Sequence, residues 1–147
     1  MEENLSLKSF VILMKASKTV EEKIKQDIRS YGMRISDFTV LEALYHKGKL
    51  TVREITEAVL INTGSITYVI DKLVKKELVE RRHSNEDRRV VHIQITDQGK
   101  DLMDEIFPAH QEIIEHIFAT ISDNEKETLI HILKKIGINT NNKEENA

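Results

Sequence analysis

Three consecutive residues, Asp87-Arg88-Arg89, follow the polar run Ser84-Asn85-Glu86. A guanidinium is planar, always charged and rich in donors, so two side by side suit the phosphate oxygens and base edges of a polyanion. Fold stability is a poor reason for such a group, because isolated exposed ion pairs contribute about 0–1 kcal/mol. A second set of candidates lies upstream: Asn62, Thr63, Gly64, Ser65, Thr67 and Tyr68, then Lys72 and Lys75. With about 100° between successive residues of a helix, Ile66, Val69, Ile70 and Leu73 share one side. Gly64, Ser65, Tyr68, Asp71, Lys72 and Lys75 share the other, with Thr67 at the edge. Small hydrogen-bonding residues at a helix start can approach base edges, while lysines further along flank phosphates. A plain amphipathic surface helix and a soluble hairpin tip are the bland alternatives.

These residues need elements to position them. Val91, Ile93 and Ile95 alternate with Val90, His92 and Gln94, the period-two pattern of a half-buried strand. Leu78 to Arg82 reads as a second strand, making a hairpin with Asp87-Arg88-Arg89 at its charged tip. Helical spacing predicts a first helix from Leu5 to Tyr31, ended by Gly32. A second runs from Asp37 to His46, capped by Ser36 and ended by Gly48. Thr51 and Glu54 have capping-box spacing for a short third helix to Val59. Asn62 or Thr63 caps a fourth from Gly64 to Lys76. Thr96 caps a fifth from Asp97 to Ile121, with Pro108 expected to kink it. Ser122 and Glu125 open a sixth to Ile136, and residues 138–147 form a polar, frayed tail.

Helix, helix, short helix, helix, hairpin is the order of a winged helix-turn-helix, here over residues 34–96. The expected fold class is mostly α with a small β-hairpin, flanked by helices over 1–31 and 97–137, in a single domain of 147 residues. The net charge of −3 is uneven. Residues 47–100 hold 11 Lys/Arg against 8 Asp/Glu, a net of +3, and the remainder 11 against 17, a net of −6. A basic middle between acidic ends fits a polyanion-facing module as well as a solvated face.

Without cysteine there is no disulfide framework, thiolate metal site or thiol switch. No Gly-rich phosphate loop, HExxH or nucleophile-elbow motif appears, so no enzyme and no cofactor is expected. His46, His110 and His116, with Glu105 and Glu112, lack metal-ligand spacing, so no metal site is expected. No signal peptide and no membrane-length apolar stretch is visible, so a cytoplasmic protein is the simplest reading.

From Val52 to Gly99 the chain resembles the MarR family of bacterial and archaeal transcription regulators, and the flanking helices match the family's layout. The family pattern Asp-x-Arg, then apolar-Thr-x-x-Gly, reads here as Asp87-Arg88-Arg89 and Ile95-Thr96-Asp97-Gln98-Gly99. ITYVIDKLVKKELV also fits, with Thr67, Asp71 and Leu73 in the expected places. HSNEDRR and IFPAHQEII are most similar to a branch that responds to hydroquinones and catechols, the MhqR-like branch.

The resemblance implies that Arg89 enters the minor groove, that Asp87 orients it, and that Arg88 contacts a neighbouring phosphate. Many members have Arg where this chain has Tyr68, which leaves open whether Tyr68 reads a base or a phosphate. It also implies a homodimer on a pseudo-palindromic DNA operator, more often a repressor than an activator. Leu5, Leu7, Ile113, Ile117, Ile121, Leu129, Ile132, Leu133 and Ile136 would form the dimer contact or else close the monomer core. A small aromatic or phenolic effector would sit in a crevice lined by Phe10, Met14, Phe38, Leu41, Tyr45 and His46, residues that also fit a plain core. A winged-helix protein-interaction module without specific DNA binding is the rival function.

Overall fold

The computed structural model describes residues 3–145, with side chains through residue 137. The first helix, α1 (Leu5–Ser30), is capped by Asn4, whose side chain accepts the Leu7 N–H. Only its end enters the core, through buried Ile28 and half-buried Ile24. The next helix, α2 (Ile35–Lys47), starts earlier than a Ser36 cap requires. Arg34 is the N-cap instead, because its extended backbone places its carbonyl 3.0 Å from the Phe38 N–H. This leaves Ser36 inside the first turn. Phe38, Val40, Leu41 and Leu44 of α2 are fully buried and form the centre of the core.

A two-residue strand, β1 (Lys49–Leu50), follows. It was too short to leave a periodic trace. Thr51 and Glu54 make both capping-box bonds at the start of α3 (Val52–Ala58). The fourth helix, α4 (Ile66–Lys75), is capped by Ser65 rather than Asn62 or Thr63. The Ser65 hydroxyl accepts the Tyr68 N–H, so Gly64 lies before the helix rather than in it. The strands β2 (Val79–His83) and β3 (Val91–Ile95) pair antiparallel, with His83 opposite Val91 and Val79 opposite Ile95. The sheet order is β1-β3-β2. Leu50, Ile93 and Val79 turn one face onto the core, while Lys49, Gln94, Glu80, Arg82 and His92 alternate to the other.

Thr96 then joins three elements. Its hydroxyl donates to the Glu77 carbonyl at 2.7 Å, its N–H donates to the Leu78 carbonyl, and its oxygen accepts the Gly99 N–H. A Cβ on Gly99 would stand 2.2 Å from the Leu78 oxygen, so only glycine allows this approach. The Thr-x-x-Gly run thereby fastens the start of α5 (Asp97–Ile117) to the turn between α4 and β2. Pro108 lies within α5, which ends at Ile117 rather than Ile121 and gives way to a turn.

Ser122 and Glu125 form the second capping box and open α6 (Asp123–Glu145). This helix continues through most of the expected frayed tail. Nothing in INTNNKEE removes an amide N–H, and each residue added to a nucleated helix contributes one hydrogen bond. The chain divides into two compact units, with the boundary after Gln111 inside α5. Among the described residues no helix is long and apolar enough to cross a membrane.

Candidate nucleic-acid interface

The start of α4 presents a polar surface. Asn62, Gly64, Ser65, Thr67 and Tyr68 are exposed, while Ile66, Val69, Ile70 and Leu73 are buried beneath them. Thr63 is half-buried, and its hydroxyl oxygen is enclosed without a hydrogen-bond partner. The two lysines expected to act alike are placed differently. Lys75 is exposed and makes no ion pair among the described residues. The Lys72 ammonium lies 3.6 Å from Asp37, a buried carboxylate of α2, and 5.5 Å from the Tyr68 ring centre. Asp71 pairs with Arg81 of β2, which links α4 to the hairpin.

At the hairpin tip, Asp87 and Arg89 form a compact unit. The Arg89 side chain donates to both Asp87 oxygens, at 3.1 and 3.3 Å, and the Arg89 backbone N–H donates to Oδ1 at 3.0 Å. These bonds from Arg89 hold the Asp87 carboxyl below its ordinary range. The Ser84 hydroxyl in turn accepts the N–H groups of Glu86 and Asp87, which closes the loop. The Arg89 side chain remains 91% exposed, so the carboxylate orients it without covering it. Arg88 is exposed, and its carbonyl lies 2.9 Å from His83 Nδ1.

A helix with a polar leading face, linked by an ion pair to a hairpin tipped by an oriented arginine, is the winged helix-turn-helix layout. The MarR family pattern matches residues 33–91. The HTH-type transcriptional regulator MhqR of Bacillus subtilis is 40% identical over 134 residues, which cover 91% of this chain and 92% of that one. The chain belongs to the MarR family. The identity to MhqR also supports placing it in the MhqR-like branch. Two solved structures share the fold. Bordetella bronchiseptica BpsR, described in connection with regulation of its DNA binding by 6-hydroxynicotinic acid, matches with a TM-score of 0.75 at 24% identity, covering 92% of this chain and 97% of BpsR. A mutant of E. coli MarR complexed with operator DNA matches with a TM-score of 0.71 at 20% identity, covering 86% of this chain and 91% of MarR. The protein is thus a MarR-family transcriptional regulator and not an enzyme.

The residues expected to line an effector crevice in this MarR-family chain are dispersed. Phe10 and Met14 are 60% and 54% exposed on α1, whereas Phe38 and Leu41 are buried in the core. Tyr45 and His46 do come together, with ring centres 5.5 Å apart, against Phe107 of α5 at 5.6 and 5.1 Å. Tyr45 donates to Asp104, and that bond raises the phenol's pKa. Phe107 was missed because its partners on α2 lie some sixty positions earlier. The one signal was an apolar residue beside Pro108. A cleft of about 640 Å³ opens instead on the outer wing face, lined by Lys49, Arg82, His83, His92 and Gln94 among others.

His110 lacks metal-ligand spacing in the sequence and finds other partners in the fold. It is 2% exposed, with Nδ1 2.9 Å from Asp27 of α1 and Nε2 3.4 Å from Glu42 of α2. Burial pushes its pKa down, but hydrogen bonds to Glu42 and Asp27 outweigh that and raise it above the ordinary imidazole value. Asp37, which sequence spacing puts at the start of α2, is buried beside Lys72 and Lys76. Of the residues expected at a dimer contact, Leu5, Leu7, Ile113, Ile132, Leu133 and Ile136 are exposed, and Ile117, Ile121 and Leu129 are half-buried.

Proposed function

We propose that the protein is a homodimeric repressor that reads a pseudo-palindromic operator and is released from it by a small phenolic or aromatic compound in the cytoplasm. The observation that carries this reading is the Asp87–Arg89 unit, in which a carboxylate fixes a guanidinium that stays exposed. A fixed but uncovered cation suits the concentrated negative potential of a narrow minor groove. Ser65 at the cap of α4, with Thr67 and Tyr68 on it, discriminates bases, and Asn62, Gly64, Lys75 and Arg88 add contacts around them. The exposed apolar side chains of α1 and α6 support a second copy as the partner, which would set two reading helices about 34–36 Å apart.

The effector seat is the seam of Tyr45, His46 and Phe107, where three rings and a phenol hydroxyl offer both stacking and a hydrogen bond. An effector releases DNA only if it binds the DNA-incompetent arrangement more tightly. With no cysteine to alkylate, release reverses on dialysis.

The test is a gel shift with duplexes selected by the protein from genomic DNA, run across a salt series with and without a panel of phenols and hydroquinones. Selective, salt-dependent binding that a phenol reverses is the expected result, with His46→Ala and Phe107→Ala blunting release while leaving binding intact. Absence of any preferred duplex would favour a protein-interaction winged helix. Complexes that survive the whole panel would leave a repressor controlled by its own abundance.

A further inference from the structure

Four polar or charged side chains are buried among the described residues, and three of them, Asp37, Thr39 and Glu42, belong to α2. Each faces a different neighbour. Asp37 lies 2.9 Å from the Lys76 ammonium just after α4 and 3.6 Å from Lys72 within it. Thr39 Oγ1 accepts the Ile61 N–H at 3.4 Å, in the segment that leads into α4. Glu42 faces His110 of α5, the fourth buried polar residue, whose other ring nitrogen faces Asp27 of α1. One short helix thus carries a buried carboxylate toward the reading helix and another toward the flanking helices.

The His110 geometry sets its own charge requirement. A neutral imidazole has one N–H and one lone pair, so it can satisfy only one of two flanking carboxylates. The imidazolium donates to both. The groups facing it are Asp27 of α1 and, hydrogen-bonded to the other Asp27 oxygen at 2.7 Å, the hydroxyl of Tyr31 just after α1, with Glu42 from α2. The rings of Phe38 and Phe107 close around it, with centres 4.7 and 6.0 Å away. Further along the α2–α5 seam, Tyr45 and Asp104 are bonded to each other.

We propose that α2 is a charged strut between the flanking helices and the reading helix, with His110 as its positioning residue. Its imidazolium holds α5 and α1 against α2 through Glu42 and Asp27, and Asp37 passes the position of α2 to Lys72 and Lys76. Loss of the His110 charge leaves a lone pair against a carboxylate, loosens that end of the strut and displaces α4 from its reading position. The strut rests on the DNA-binding reading above but makes a claim of its own, because its charge state is measurable without DNA.

Held between two carboxylates, the ring keeps its charge to a higher pH than an ordinary imidazole and loses the proton as the pH climbs through the folded value. The experiment measures affinity of the full-length protein for a duplex it selects from a random pool, and for an unselected duplex, between pH 6 and 9, with circular dichroism at each pH. Affinity of the protein for the selected duplex is expected to fall by about tenfold on the alkaline side, a usual size for coupling between sites, with helicity unchanged. The His110→Gln variant is expected to bind more weakly at pH 6 and to lack the alkaline loss. Parallel profiles for the two proteins would overturn the strut.

Should His110→Gln fail to fold, nitrogen NMR of the unsubstituted protein decides. Two protonated ring nitrogens in His110 at pH 7 support the strut, and one deprotonated nitrogen overturns it. A pool that yields no preferred duplex would count against DNA reading, while the imidazole spectrum would still judge the joint.

Discussion

The wing tip and the α2 joint are built from the same kind of interaction, a carboxylate holding a cation, and differ in where the water is. At the tip the Arg89 side chain is 91% exposed beside Asp87. At the joint His110 is 2% exposed between Asp27 and Glu42. In water an ion pair contributes little to stability, so the tip is free to spend its charge on a partner. Away from water each charge depends on its neighbours, because an unpaired buried charge is costly. On the proposed reading the exposed pair serves binding, while the buried cluster sets how the helices are arranged.

That contrast is easiest to break at its buried end. Glu42→Ala removes one partner of the buried imidazolium and should lower the unfolding free energy by about 3 kcal/mol, as measured by urea denaturation. A loss no larger than that of an exposed pair would mean that water reaches the joint. Next in size, Arg89→Ala should weaken binding to a selected duplex by ~10-fold or more while leaving the melting temperature unchanged. A variant that melts early would place Arg89 in the fold rather than at the interface.

The pH profile of stability separates the two clusters by sign. His110 has a raised folded pKa, so its contribution is complete below the unfolded value and disappears as the pH rises through the folded one. Asp87 has a lowered pKa, so any contribution is present at neutrality and fades as the pH falls through the folded value. Thermal melts should therefore show an alkaline loss of a few degrees that His110→Gln abolishes. A loss that persists in the variant would assign it to another group.

Smaller effects distinguish the lysines. Lys75→Ala should reduce the salt slope of DNA binding by about one unit, and Lys72→Ala by less, because Lys72 already faces Asp37. Equal slopes would return Lys72 to the phosphate contacts. Smallest of all, Asp87→Asn should leave melting unchanged and weaken the selected complex less than Arg89→Ala does, since the guanidinium remains and loses only its orientation. An effect as large as that of Arg89→Ala would make the orientation the whole contribution.

The sequence by itself determined the features whose partners are close in the chain. The Thr51–Glu54 and Ser122–Glu125 boxes and the Asp87–Arg89 pair join residues two or three apart, so type and spacing nearly suffice to specify them. The apolar period of α4 and the alternation of β3 likewise repeat within one element, and Thr96 announced the start of α5. Even local competition left gaps: Asn62, Thr63 and Ser65 can all cap α4, and the backbone selected the last. Only the tertiary structure decided the joints of α2. Asp27 and His110 meet across 83 positions and Asp37 and Lys76 across 39, and no periodicity connects such pairs. The same structure placed Phe38 in the core and Tyr45 against Phe107, separating two residues of the crevice that the family resemblance implies. Hydrophobic period tells which side of a helix is buried, but not which buried carboxylate will face which cation, because that depends on how whole helices pack.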